Sequence, residues 1–592
     1  MRSDAIAIEP PRRLGGLRRM NRVLLRRRLF VAGLNAATIA VLASLMAIAL
    51  FSGGVTPIKA GMWVAFVVTL PWLSIGFWNA IIGTVITLRG PAEDDPLALT
   101  VNPAAVIATR TAILMAVRNE DPDRAIARVR TLFEDLDESG LADHFDIHVL
   151  SDTDDPAIAA AEEARIAAWR AETARAGQIH YRRRIDNHGY KAGNIEEFCR
   201  RSGAAYEFFL PLDADSFLSA NAVARLVRIM QRHRRIGILQ TLVVGVPSAS
   251  FFTRVFQFGM RHGMRAYTAG SVWWTGDCGA YWGHNALIRT RAFAAHCTLP
   301  TLPGNGPLGG AIMSHDQVEA VLMRRAGYHC RVLAEEGESF EENPPTLPDF
   351  IRRELRWCQG NMQYFQLLGM EGLHIVSRLQ LMLAILMYLA PFAWMAFIML
   401  GAASLFSEAG SFSGPVALGI GLFVTIITMT FAPKIMGLVG VLARGEESAR
   451  YGGRWAVAAG AVVELVFSMI VAPVVAFAVA VFAAGLVFGK RIDWRAQGRV
   501  SRAVGWREAV IDFLPQTVMG VALFALFAMT APAVLPWAMP VIVGFAVAIP
   551  FAVATAMPAL GAWSRRRGLC AIPEDIAPQP ILARLQAEVP PV

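Results

Sequence analysis

The chain has 592 residues, 55% of them hydrophobic and only 17% charged, with a formal net charge of +9. A mean hydropathy of +0.42 excludes an ordinary soluble protein, and the length exceeds what one hydrophobic core supports. Eight of the nine arginines before the first apolar run cluster within residues 12–28 (Arg12, Arg13, Arg18, Arg19, Arg22, Arg26, Arg27, Arg28) without aromatic interleaving, so they read as a positive-inside flank and no nucleic-acid partner is expected.

In chain order, residues 1–29 form a basic N-terminus expected in the cytoplasm. The runs 30–52 and 61–88 predict two transmembrane helices over 30–89, the first too long for the apolar core of a signal peptide. Residues 90–347 have soluble composition and are expected as a cytoplasmic domain. Residues 348–376 open with an amphipathic helix suited to the bilayer surface. Residues 377–562 are a second membrane block, with helices near 378–405, 415–442, 513–532 and 535–561, and 563–592 is a cytoplasmic tail. The run 455–488 contains Pro473 and precedes the basic loop 489–507, which a single crossing would place outside; a hairpin with both ends inside is expected instead. Glu464 lies within that run, facing either a polar cavity or a basic partner. Six cysteines lack C-x-x-C spacing, as for free thiols in a reducing compartment.

Within the soluble domain, strands are predicted at 111–117, 145–150, 178–184 and 206–212, with helices at 123–137 and 157–176. Alternating β and α elements imply a parallel sheet with polar residues at the strand ends. Asn119-Glu120 follows the first strand, Asp152 the second, and Asp213-Ala214-Asp215 ends the fourth. On a strand, Asp213 and Asp215 share a face and together would hold a divalent cation bridging a diphosphate; in a turn, the same spacing caps a helix. There is no G-x-G-x-x-G after the first strand and no Walker A motif.

These acidic strand ends, with Lys191-Ala192-Gly193-Asn194, Tyr281-Trp282-Gly283-His284-Asn285, Ser314-His315-Asp316 and Arg353-Glu354-Leu355-Arg356-Trp357, resemble glycosyltransferase family 2. The similarity is strongest to its subgroup that builds osmoregulated periplasmic glucans, and runs from about residue 30 to 580. It implies an α/β GT-A (Rossmann-like) domain inserted between helical transmembrane blocks of an inner-membrane enzyme. It also implies Mg²⁺ or Mn²⁺ as cofactor, UDP-glucose as donor and a growing β-1,2-linked glucan as acceptor. Lipid, acyl carrier protein and a periplasmic glucan-processing protein are the implied partners. By the same resemblance Asp316 is the general base, and Asp215 with Asp213 binds the metal. Asn119, Glu120, Asp152, Lys191, Asp213 and Arg356 hold the nucleotide. Trp282, His284, Asn285 and Trp357 face the acceptor. Trp494, Gln497 and Arg499 belong to a loop that closes over the nucleotide in related synthases. Arg353 stands where cellulose-type synthases carry glutamine. The alternatives are a cellulose, chitin or hyaluronan type synthase, a lipid-acceptor transferase, and a transporter with a nucleotide-sensing domain.

Overall fold

The computed structural model describes residues 14–90, 95–406, 415–492 and 501–588; Trp494, Gln497 and Arg499 lie outside these. Two long helices come first, α1 (Leu14–Phe51) and α2 (Pro57–Arg89). Thr56 starts α2 by accepting from the Lys59 amide, and Pro57 occupies the first turn, where no amide is needed.

The following domain alternates strand and helix: β1 (Thr111–Val117), α3 (Pro122–Glu138), β2 (Phe145–Ser151), α4 (Pro156–Glu172), β3 (Ile179–Arg183), α5 (Tyr190–Arg201) and β4 (Phe208–Asp213). Asp121-Pro122 and Asp155-Pro156 begin α3 and α4 in the same way, each aspartate accepting two amides of its first turn. The chain continues through β5 (Ser216–Leu218), α6 (Ala220–Arg232), β6 (Ile236–Gly245), α7 (Phe251–Thr275), β7 (Ala286–Arg289), α8 (Thr290–His296), α9 (His315–Arg325), β8 (His329–Glu341) and α10 (Leu347–Met362). The eight strands form one sheet in the order β3-β2-β1-β4-β7-β6-β8-β5.

Strands β3, β2, β1 and β4 are mutually parallel, as expected, but β7 runs antiparallel to both β4 and β6, so the sheet is mixed. Helices α3, α4 and α6 bury Val129, Ile166 and Val227 on one side. Helices α5, α8 and α9 bury Ile195, Phe293 and Val321 in a second core. Covering both faces explains why β1 is a nearly continuous apolar run, while β2 buries Asp146 and His148 among its apolar residues. The register pairs Val117 with Ser151 and Ala116 with Asp213, bringing the ends of β1, β2 and β4 to one rim.

Beyond α10 come α11 (Ile375–Ser404), α12 (Val416–Leu442), α13 (Gly445–Ala449), α14 (Arg454–Val487), α15 (Trp506–Thr530), α16 (Leu535–Ala546), α17 (Ala548–Thr555), α18 (Pro558–Arg566), α19 (Pro573–Ile576) and α20 (Pro580–Glu588). Among the described residues, six helices are long and apolar enough to cross a membrane; α16 and α17, bent by 57°, make a seventh if they form one span. This is consistent with a multi-pass membrane protein.

The hairpin expected at 455–488 is corrected: α14 is one helix of 34 residues with Pro473 inside it. Pro473 is buried against Gly544 of α16, so a neighbouring helix fills the space around the interrupted backbone. At ~1.5 Å per residue α14 is about 50 Å long, and both its ends reach the soluble domain. Near its start, Gly460 packs on Phe258 of α7; near its end, Val479, Phe482 and Leu486 pack with Cys358 and Met362 of α10. Glu464 is buried at 4% exposure, bonded by Lys434 Nζ of α12 and by Ser468 Oγ at 2.6 Å.

Two features tie the domain to the helices around it. Helix α7 meets α2 and α12 backbone to backbone: a Cβ on Gly83, Gly270 or Gly437 would collide with the carbonyl of Ala266, Asn79 or His262 respectively. The C-terminal segment folds back onto the sheet edge. Asp575 pairs with Arg254 at 3.0 Å, while Arg261 is shared between Glu574 at 2.5 Å and Glu336 at 2.7 Å. Ile581, Leu582 and Leu585 of α20 cover Phe217 and Phe340.

Candidate active site

Strand β4 ends at Asp213, and Ala214-Asp215 turn the chain into β5. The i, i+2 argument for one strand face is therefore corrected: Asp215 belongs to the turn. That turn is held from beneath, because Arg128 donates to the Ala214 carbonyl and to Glu342, and the Glu342 amide donates to the Asp215 carbonyl at 3.2 Å. Burial lowers the Arg128 pKa, and the Glu342 charge opposes that shift. Asp215 is buried, whereas Asp213 is half-buried and bonded by Lys191 Nζ.

Lys191 also donates to the Gly283 carbonyl at 2.8 Å, drawing the Trp282–His284 segment to the end of β4. Gly283 has φ +86°, and a Cβ there would lie 3.5 Å from Asp316 Cβ. Lys191, Asp213, Gly283 and Asp316 are thus one connected cluster. Asp316 sits in the first turn of α9, beside His315, whose Nδ1 is 3.0 Å from buried Glu319. Burial alone would depress the His315 pKa, but the Glu319 charge and hydrogen bond raise it above the ordinary value. Helix α10 packs on this turn. A Cβ on Gly360 would collide with the Ser314 hydroxyl, and Tyr364 donates to the Ser314 carbonyl at 2.8 Å. Burial and neighbouring Arg353 lower the Arg356 pKa, while the charges of Glu120 and Asp213 pull it up. Trp357 is 46% exposed on the same helix, with the Arg353 guanidinium 4.6 Å over its ring.

The descriptions "Glycosyl transferase family 2" and "Glycosyl transferase family group 2" match residues 112–296 and 208–433. Glucans biosynthesis glucosyltransferase H of Xanthomonas campestris pv. campestris is 36% identical over 578 residues, 94% of this chain and 88% of its own. This chain belongs to that glucosyltransferase family. The Vibrio cholerae serotype O1 relative of the same name is 35% identical over 95% of this chain and 79% of its own. Among solved structures, the mannosyltransferase PcManGT from Pyrobaculum calidifontis, in complex with GDP-Man and Mn²⁺, aligns at 15% identity. It covers 64% of this chain and 98% of its own, with a TM-score of 0.43. Family membership makes the chain a glycosyltransferase of glucan synthesis, built on a GT-A domain with flanking apolar helices.

The remaining residues that the family resemblance singled out divide in two. Asp152 lies at the rim, clasped by Arg184 at 2.7 and 2.8 Å and by Asn194 Nδ2 at 2.9 Å. Asn119, at φ +53°, accepts from the amides of Asp154 and Asp155 at 3.2 and 3.1 Å, so its side chain ties the β1 and β2 turns together. Asn285 is at 0% exposure, its amide donating to Ser339 at 2.9 Å and to the Phe340 carbonyl at 3.1 Å, so it helps hold β8. His284 is 3.5 Å from Glu341, turned toward the end of β8. Trp282 is partly buried, its amide donating to Gln240 Oε1 at 2.9 Å; Gln240 Nε2 donates to the His284 carbonyl at 3.0 Å. Sequence reasoning gave no role to Gln240, Arg128, Glu342 or Arg184, although Arg184 lies in the Tyr181-Arg182-Arg183-Arg184 run that belongs to the family resemblance. A buried glutamine inside the apolar strand β6 was the other visible signal.

Proposed function

We propose that this chain is a processive, inverting glucosyltransferase of the bacterial inner membrane, with its catalytic domain and both termini in the cytoplasm. It extends a β-1,2-linked osmoregulated periplasmic glucan from UDP-glucose and passes the product through its own membrane helices. The observation carrying this reading is the cluster of Lys191, Asp213, Gly283 and Asp316 at one sheet rim, with Arg356 in electrostatic reach of Asp213. The arginine-rich flank of α1 supports the orientation. Acyl carrier protein and a periplasmic glucan-processing protein are partners that the resemblance adds.

Asp152, Asn119 and Glu120 line the nucleotide end. A carboxylate has about four acceptor positions, so Asp152 can accept from the base while keeping Arg184. Lys191 and Arg356 counter the diphosphate charge, Lys191 exchanging Asp213 for phosphate oxygens. Asp213 and Asp215 suit a Mg²⁺ or Mn²⁺ of the kind that takes one or two protein carboxylates and completes its shell with phosphate and water. No group of three His, Cys, Asp or Glu side chains is arranged for a metal among the described residues, and that donor set needs none. When bound, the cation neutralises charge building on the departing diphosphate. Asp316 takes the proton of the attacking acceptor hydroxyl as C1 gains oxocarbenium character, and a single displacement inverts the α-linked donor. Trp357 and Trp282 offer aromatic faces to the apolar side of the acceptor sugar.

The test is labelled UDP-glucose with Mg²⁺ on inverted membrane vesicles carrying wild type or Asp316→Asn. We expect polymer cleaved by a β-1,2-glucanase, reduced at least ~100-fold by the substitution. Polymer cut only by another glucanase would overturn the product, and no transfer from UDP-glucose would overturn the donor.

A further inference from the structure

A cavity of about 320 Å³ lies away from the catalytic cluster, where the approach to α15 meets the corner between α17 and α18. Its walls include Ser250, Ser501, Pro558 and the arginines Arg502, Arg565 and Arg566. The wall is closely built, because a Cβ on Gly561 of α18 would collide with the carbonyl of Ala249 just before α7. Arg502 is bonded to Glu508 at 2.8 Å and lies 3.3 Å from Asp349 of α10. Arg565 and Arg566 are exposed and have no carboxylate partner among the described residues. The Ser501 hydroxyl is buried without a hydrogen-bond partner among the described residues. Trp506, 61% exposed, starts α15 four residues after Arg502; Trp563, 43% exposed, adjoins the cavity residue Ala562.

We propose that this cavity binds the headgroup of an anionic glycerophospholipid. Two unpaired arginines and an unsatisfied hydroxyl suit a phosphodiester. The alanine and proline lining suits the glycerol and upper acyl carbons. Exposed tryptophans beside arginines are what a helix end shows at the membrane–water boundary. Arg502 gives the site a route to the chemistry, since its partner Asp349 opens the helix carrying Arg356 and Trp357. An anionic headgroup in the cavity competes with Asp349 for Arg502, so lipid occupancy bears on how firmly α10 is held.

The test is native mass spectrometry of the full chain in detergent, titrated with phosphatidylglycerol or phosphatidylcholine. Wild type should retain phosphatidylglycerol preferentially. The variant Arg565→Ala/Arg566→Ala should lose that preference by about 25-fold, roughly five-fold per arginine. The control Arg22→Ala/Arg26→Ala alters two exposed arginines near the same boundary and should keep the preference. Equal losses in both variants would reduce the effect to general attraction and overturn the site. Displacement of the lipid by millimolar inorganic phosphate would also overturn it, making the cavity a soluble-phosphate site. Because both variants change only exposed side chains, thermal melts matching wild type separate lost binding from lost folding.

Discussion

Gly283 meets two demands that no other residue type meets together. Its φ of +86° lies in the left-handed region, and its carbonyl must point at Lys191 while its α-carbon faces Asp316. Space is the lesser constraint, since a Cβ would make only ordinary contact with Asp316. Gly283→Ala should therefore cost about 1 kcal/mol through backbone strain, with kcat falling further than the melting temperature, as a displaced carbonyl releases Lys191. Equal losses in both would show that the glycine serves folding alone. His315 gives a pH signature. Its folded-state pKa is raised by Glu319, so the ion pair stabilises the protein fully below the unfolded pKa of 6.5 and is lost as pH rises through the folded value. Wild-type melting temperature should accordingly fall from about pH 6.5 upward relative to His315→Gln; parallel pH curves would refute the linkage.

At the scale of elements, the domain hangs on α7, and α7 is seated by glycines. Gly270→Ala places a methyl against the Asn79 carbonyl, where backbone must move. A loss of roughly 1–3 kcal/mol in stability is expected, with transferase activity per folded molecule reduced as α7 shifts; unchanged melting in detergent would contradict the close crossing. The first half of the sheet was legible because its signals are local: β1 is buried on both faces and so almost continuously apolar, and Asp-Pro marks the starts of α3 and α4. What escaped was non-local. Nothing in residues 286–289 announces that β7 reverses direction, and Gly83 and Gly270 carry no periodicity. Pro473 read as a break because Gly544, on the helix that packs against it, lies 71 residues further on. The proposed catalytic cluster was readable as residue types: Asp213 at a strand end, with Lys191, Gly283 and Asp316 in short motifs. Asn285 was legible as part of a motif, but its hydrogen bonds to β8 depend on contacts more than 50 residues away in the chain.

Across the whole molecule, the C-terminal segment, which follows the membrane block in sequence, returns to clasp the soluble domain. Arg261 and Glu574 are both nearly fully buried; Arg261 also holds Glu336, so it is removal of the arginine that strands buried charge. Arg261→Ala should destabilise by about 3 kcal/mol, partly relieved in the double variant with Glu574→Ala; purely additive losses would mean the two do not interact. The same clasp sets an order on biogenesis. Phe217 and Phe340 are translated long before Ile581, Leu582 and Leu585, which cover them. At ~5–20 residues per second the ribosome needs roughly 10–50 s to supply that cover, and meanwhile every later membrane helix must find its place. The nascent domain therefore waits with one sheet edge uncovered, and its closure records that insertion of the rest has succeeded.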